Sequence, residues 1–277
     1  MFCMERGATG VETLSESETE VSLRIYFDDL PANAVENWPG EFQQVYPGLA
    51  PPTQISAGHQ AGQDWHKAWR VFFRPTPAGQ GLMVCPPWEV PPPESLDGRT
   101  PLVIDPGQGF GTGGHASTML ALGLLEAAMG RMEANLSVAD VGTGSGILAL
   151  AAMHMGVKSP VCVDIDPQAL PEVRRNARLN GFLEPVLVVC GTAACLHSRF
   201  DLVLANLTAP ILLSESDAIA DLTSRGGRLI LSGMLVRERE EVLNTFASLG
   251  LVTEATAEQE EWGAACLVNN QSTAGEN

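Results

Sequence analysis

Two glycine-rich segments hold the residues best suited to chemistry. Residues 140–146 read DVGTGSG, and residues 105–118 read DPGQGFGTGGHAST. The first follows the strand-like run SVADV and precedes ILALAAMHM, so it reads as a strand-to-helix turn. Gly142 and Gly144 permit a tight turn and let a ligand approach the backbone closely. A dinucleotide fingerprint, GxGxxG, would need its third glycine at position 147, which is Ile147. The pattern is instead acid-x-Gly-x-Gly-x-Gly, headed by Asp140.

A dinucleotide brings a pyrophosphate to the helix N-terminus. S-adenosylmethionine has no phosphate; it carries an ammonium, a carboxylate and a sulfonium. Asp140 can face that ammonium directly or through water. The next strand-like run ends in VDIDP, with Asp164 22 residues after Gly142. A carboxylate there can accept hydrogen bonds from both ribose hydroxyls. Asp166 is better explained as a helix N-cap. These features favour S-adenosylmethionine over a nicotinamide cofactor. A third acceptor is Asn206, in ANLTAP after a later strand-like run. Its Oδ1 and a nearby backbone carbonyl can hold two N–H bonds of a target amine and aim its lone pair at the methyl. Such an in-line displacement needs no nucleophilic side chain and no metal.

The elements that must position these residues are legible as periodicity. Strand-like runs are SVADV (137–141), PVCVD (160–164), VLVVC (186–190), DLVLAN (201–206) and RLILS (228–232), with helical patterns between them. That order predicts a parallel, doubly wound α/β sheet. LVTEATA (251–257) and GAACLVN (263–269) are separated only by EQEEW, so they should pair as an antiparallel hairpin. A Rossmann-like sheet with that ending is associated with class I methyltransferases. Ahead of it, VSLRIYF (21–27) alternates as a half-buried strand, DWHKAWRVFF (64–73) has an aromatic helical stripe capped by Asp64, and GLMVC (81–85) is strand-like. CPPWEVPPPESLDGRTP cannot continue a helix or a central strand and reads as a linker. The expected organisation is a small α/β domain over 1–85, a proline-rich linker over 86–101, a methyltransferase domain over 102–268 and a disordered tail over 269–277.

Composition bounds the function. The chain has 277 residues, 45% hydrophobic, with a net charge of −17. Direct nucleic-acid binding normally needs a basic surface and is disfavoured. A basic protein partner would be attracted, although such acidity can serve solubility alone. No apolar run reaches the roughly 18–20 residues of a membrane span, and no signal peptide is evident. Six scattered cysteines without a CxxC pair read as free thiols in a reducing cytoplasm, and no zinc site is expected.

At this point the chain resembles the bacterial ribosomal protein L-eleven methyltransferase family. The matching stretches are DWHKAW, VCPPW, IDPGQGFGTGGHAST, VADVGTGSGILALAA, VDIDPQAL, NARLNG, DLVLANLTAPIL and EEWGAACL, in order from about residue 64 to 268. The resemblance implies methylation of lysine side chains and the N-terminal α-amine of one large-subunit ribosomal protein, with a small N-terminal domain recognising that substrate. It implies that the 105–118 loop folds over the cofactor and that Thr118 contacts it. It places the glycine-turn, ribose and amine-site positions on Gly142, Asp164 and Asn206. The loop's glycines make it pliable, and Phe110 could cover the adenosine or the methyl group. HAST stands where the family has HPTT, so Ala116 and Ser117 depart from the pattern. His115 has either a cofactor-side role or a structural hydrogen bond. The N-terminus, MFCMERGATGVE, reads as beginning inside the small domain's first helix, without the strand that precedes it in the family. Two alternatives stand beside this reading: the same chemistry on another protein lysine or a small amine, and a non-catalytic cofactor-binding module that docks a basic protein.

Overall fold

The computed structural model describes residues 2–3, 6–16, 21–27, 30, 33–50, 52, 54–58, 73–106, 114–132, 135–182 and 186–270. The chain divides into two compact units, Met1–Ala68 and Trp69–Asn277.

In the first unit, β1 (Ala8–Glu16) pairs antiparallel with β2 (Val21–Phe27), and α1 (Ala34–Val45) follows. The N-terminal segment expected inside a helix is therefore a strand from Ala8. Its Thr13 and Val11 are β-formers that find cross-strand partners in Leu23 and Ile25. Phe2, Phe27, Trp38 and Phe42 form an aromatic cluster at one end of this hairpin. β2 forms where its alternation indicates, but only Ile25 and Phe27 on its apolar face are partly covered; Val21 and Leu23 are about half exposed. The expected helix at 64–73 and its cap Asp64 lie outside the described residues, apart from Phe73.

The second unit opens with a three-stranded sheet. β3 (Thr76–Ala78) pairs antiparallel with β4 (Leu82–Cys85), and β4 pairs parallel with β5 (Thr100–Val103). The proline-rich segment is thus a crossover between two strands of one sheet. Residues 76–85, expected in the first domain, pack with the second unit, and the boundary between units falls at 68/69. Prolines bar helix and central strand, but they do not bar an irregular crossover; Pro101 is tolerated because β5 is an edge strand.

The remaining elements are α2 (Ala116–Met129), β6 (Val138–Val141), α3 (Ile147–His154), β7 (Val161–Asp164), α4 (Ala169–Leu179), β8 (Leu187–Cys190), β9 (Phe200–Asn206), α5 (Ala209–Ser214), α6 (Ser216–Leu222), β10 (Thr223–Leu235), α7 (Val236–Ser248), β11 (Leu251–Gln259) and β12 (Trp262–Asn269). The main sheet has the order β11-β12-β10-β9-β6-β7-β8. The strands from β8 to β10 run parallel, and β12 is antiparallel to both β10 and β11. This is the expected doubly wound sheet with a terminal antiparallel hairpin.

Its central strands β6 and β9 are buried on both faces, which explains their near-continuous apolar runs; the edge strands β8 and β11 are partly exposed. Along β9, Leu202 and Leu204 point into one core with α2 and α3, while Val203 and Ala205 point into the other with α6 and α7. Truncating a fully buried leucine such as Leu204 to alanine would cost about 2–5 kcal/mol. α3 is apolar all round because it is enclosed; Ile147 to Met153 are all buried. α4 begins at Ala169, three residues after the expected cap. Asp166 opens the preceding turn instead: its Oδ1 accepts the N–H of Gln168 at 2.9 Å, and its carbonyl accepts that of Ala169. Gly181, at φ 74, ends the helix, with the N–H of Phe182 returning to the carbonyl of Ala177.

Candidate functional site

The strand order reverses between β6 and β9, because the chain goes outward through β7 and β8 and then returns to the other side of β6. Crevices at the carboxyl ends of strands beside such a switch point are where doubly wound sheets bind ligands. DVGTGSG leaves the end of β6, Asp164 ends β7 and Asn206 ends β9. The expected residues therefore share one edge of the sheet.

Gly142, Gly144 and Gly146 have φ of 67, 52 and 83, a region that L side chains avoid. The turn is tied to the neighbouring strand: the N–H groups of Gly142 and Thr143 both reach the carbonyl of Val163, at 2.8 and 3.1 Å. A Cβ on Gly142 would run into the side chain of Leu207. The turn and the segment after Asn206 are thus in van der Waals contact.

Asp164 uses both carboxylate oxygens locally. Oδ2 accepts the N–H of Gly144 at 2.8 Å, and Oδ1 accepts that of Asp166 at 2.9 Å. Asp140 faces inward and is 1% exposed. Its Oδ2 accepts the Thr143 hydroxyl at 2.8 Å and the N–H of Ala149 at 3.2 Å. Burial pushes its carboxyl up to about 6; the bonds from Thr143 and Ala149 oppose the shift, and the charge of Asp164 adds to it. In these contacts Asp140 holds the turn onto α3, a role its position in the sequence did not suggest.

Asn206 donates its Nδ2–H to Thr118 Oγ1 at 3.2 Å. This bond joins the end of the 105–118 segment to the end of β9. Asn206 Oδ1 is buried and has no hydrogen-bond partner among the described residues. An unmade bond at a buried acceptor costs about 1–3 kcal/mol, so this oxygen is free to take a donor from a bound molecule. His115 is the N-cap of α2: its Nδ1 accepts the N–H of Ser117 at 3.3 Å and lies 2.8 Å from the Ser117 hydroxyl. Its ring also meets Trp262 edge-on, with centroids 4.4 Å apart. Phe110, with Gly107, Gly109, Gly111 and Gly113, lies outside the described residues.

Several contributors were not apparent from motif reading. Ser232 is fully buried, donates to the carbonyl of Ser117 at 2.8 Å, and its own carbonyl accepts the N–H of Leu207 at 3.0 Å. It therefore fixes the first turn of α2 against the Asn206 segment. Asn176 and Asn180, both in NARLNG, bond the backbone around β5. Their signal was available: Val173, Asn176, Ala177 and Asn180 follow i, i+3, i+4, i+7, which puts two amides on a face that must be buried. Among the described residues no group of His, Cys, Asp or Glu could hold a metal ion.

The sequence model of the family described as ribosomal protein L11 methyltransferase (PrmA) matches residues 9–271. The chain belongs to this family. Ribosomal protein L11 methyltransferases from Pelobacter propionicus and Geobacter sulfurreducens are 38% and 37% identical to it. Those alignments cover 91% and 94% of this chain and 82% and 83% of theirs. The crystal structure of a ribosomal protein L11 methylase from Lactobacillus delbrueckii subsp. bulgaricus superposes with a TM-score of 0.65 at 28% identity, covering 72% of this chain and all of that one. The protein is an S-adenosylmethionine-dependent methyltransferase of the L11 methyltransferase family. The residues at the switch point suit that donor. The turn lacks a pyrophosphate fingerprint, and carboxylates lie beneath it and beside it.

Proposed function

We propose that this chain transfers methyl groups from S-adenosylmethionine to lysine side-chain and N-terminal amines of ribosomal protein L11. The observation that carries the reading is Asn206 Oδ1, a buried acceptor without a partner at the switch point, beside the glycine turn. S-adenosylmethionine, when bound, supplies a methyl group on a sulfonium, a leaving group that is already activated. The chain's own task is to bind, orient and desolvate. Thr118 takes the Nδ2 of Asn206, which leaves Oδ1 as the end that accepts an N–H of the target amine. With one N–H held, the nitrogen lone pair is directed rather than free to tumble.

Asp164 keeps acceptor capacity after binding Gly144 and Asp166, because each carboxylate oxygen offers two lone pairs. The ribose hydroxyls are its expected partners. Asp140, with its carboxyl near 6, is mostly ionised at neutral pH and places a negative charge under the turn, which favours an ammonium above it. The target amine must arrive neutral. A lysine near pKa 10.4 costs roughly 4.6 kcal/mol to deprotonate at pH 7, and an α-amine near 7.8 costs about 1. Desolvation in the pocket supplies part of that shift.

The net charge of −17 supports a basic protein as substrate and disfavours direct contact with nucleic acid. The small N-terminal unit is the proposed recognition element. Free cysteines and the absence, among the described residues, of any helix long and apolar enough to cross a membrane fit a cytoplasmic enzyme. The test is Asn206→Ala with purified L11 and labelled methyl donor. Cofactor affinity should stay within a few-fold of wild type, and turnover should fall by about 10²-fold or more. Turnover at the wild-type rate would remove Asn206 from the amine site.

A further inference from the structure

Asn176 is fully buried in the apolar face of α4, and both ends of its amide are in use. Oδ1 accepts the N–H of Asp105 at 3.0 Å, and Nδ2 donates to the carbonyl of Ser145 at 2.9 Å. One amide thus joins two segments that are 40 residues apart in sequence: the exit from β5 and the glycine turn after β6. One helical turn on, Asn180 takes both the N–H and the carbonyl of Val103, at 2.8 and 2.7 Å. It completes the open edge of β5 as a neighbouring strand would. Arg175 adds an ion pair to Asp105 at 3.3 Å.

The bond to Ser145 matters because the next residue is a glycine. Gly146 is at φ 83, and glycine populates positive and negative φ about equally. The Ser145–Gly146 peptide is held at its N–H, which donates to the carbonyl of Thr143 at 2.9 Å, and what it still needs is a hold on its carbonyl. Val173 of α4 packs against Gly146, where an added Cβ would lie 3.1 Å from its Cγ1, but it offers no polar contact. The Nδ2 of Asn176 does, and it grips the carbonyl of that peptide.

We propose that Asn176 is a positioning residue for cofactor binding. Its amide locks the Ser145–Gly146 peptide and fixes its distance from the Asp105 backbone, so the turn is held in its receiving shape before the cofactor arrives. It does this without touching the cofactor. The inference rests on DVGTGSG being the cofactor turn.

The test compares Asn176→Ala, Asn176→Asp and Asn180→Ala with wild type by calorimetric titration of S-adenosylmethionine, thermal melting and steady-state kinetics. Asn176→Asp has nearly the same volume and keeps the acceptor for Asp105, but it loses the donor to Ser145. Both Asn176 variants should bind S-adenosylmethionine about tenfold more weakly or worse, the equivalent of one buried hydrogen bond. Their KM for the cofactor should rise in parallel, while kcat at saturating cofactor stays within about twofold. Asn180→Ala should lower the melting temperature, since it loses the clasp on Val103 and the contact with His154 Nε2 at 3.0 Å, but leave cofactor affinity within about threefold, because its side chain makes no bond to the glycine turn. A folded Asn176→Asp protein with wild-type affinity would overturn the inference. So would an Asn180→Ala protein weakened as much as Asn176→Ala. Failure of wild type to bind S-adenosylmethionine, read first in the same titration, would overturn the cofactor site itself.

Discussion

Asp164 and Asp140 are carboxylates in one site with opposite surroundings, and they should respond differently to substitution. Asp164→Ala removes a charged acceptor from the cofactor and from the N–H of Gly144. It should weaken S-adenosylmethionine binding by about 2 kcal/mol or more; unchanged affinity by calorimetry in a folded variant would remove Asp164 from the site. Asp140 ionises near 4 in an unfolded chain but near 6 when buried under the turn. Between those values the folded protein binds more protons, so this group's contribution makes stability fall as pH rises from about 4 to about 6. Asp140→Asn should remove that component. Melting temperatures of both proteins across this range check it, and identical slopes would mean that Asp140 stays charged throughout. Asn206→Asp keeps an acceptor but adds a charge that favours the unreactive ammonium, so its activity should recover only at higher pH. A pH–rate profile parallel to wild type would contradict the proposed contact. The placement of Gly142, Gly144, Asp164 and Asn206 at the ends of β6, β7 and β9 was legible because strand periodicity and turn geometry restrict the residue type. The burial of Asn176 was legible from its helical spacing but its partner was not, and Ser232 left no signal at all, because Asp105 and Ser117 lie 71 and 115 residues away.

At the scale of elements, the glycine turn and the Asn206 segment form one mechanical unit. Gly142→Ala would force an alanine to φ 67 and drive its methyl into Leu207. The backbone strain alone is about 1–2 kcal/mol. Because Leu207 follows Asn206, turnover should fall along with cofactor affinity and melting temperature. A variant that loses affinity but keeps kcat would show the two segments to be independent. The central strands of the main sheet were legible because strands buried on both faces leave continuous apolar runs, and the terminal hairpin was legible because only EQEEW separates its two strands. The role of the proline-rich segment was not, since proline reports only which structures are barred; whether 86–101 separates domains or crosses between β4 and β5 depends on pairing between distant residues. The same limit applies to Ala8–Glu16, whose strand exists through its register with β2.

For the whole molecule, charge is legible in total but not in placement. The sequence has Glu5, Glu12, Glu16, Glu18, Glu20, Asp28 and Asp29 near its start against Arg6 and Arg24. In the folded unit some of this charge is spent internally: Arg24 pairs with Glu12 at 3.2 Å and Arg6 with Glu41 at 3.0 Å. The net −17 should still speed association with a basic protein at low salt, with rates falling as the Debye length shortens. Stopped-flow rates that stay flat across ionic strength would assign the acidity to solubility. Whether this enzyme methylates amines of L11 is decided by mass spectrometry of purified ribosomal proteins after incubation with enzyme and S-adenosylmethionine. Methyl-group mass increments should appear on L11, mapping to lysine side chains or the N-terminal amine, and be absent with Asn206→Ala. A folded, cofactor-binding enzyme that leaves L11 unmodified, or that modifies a different protein instead, would contradict the proposed function.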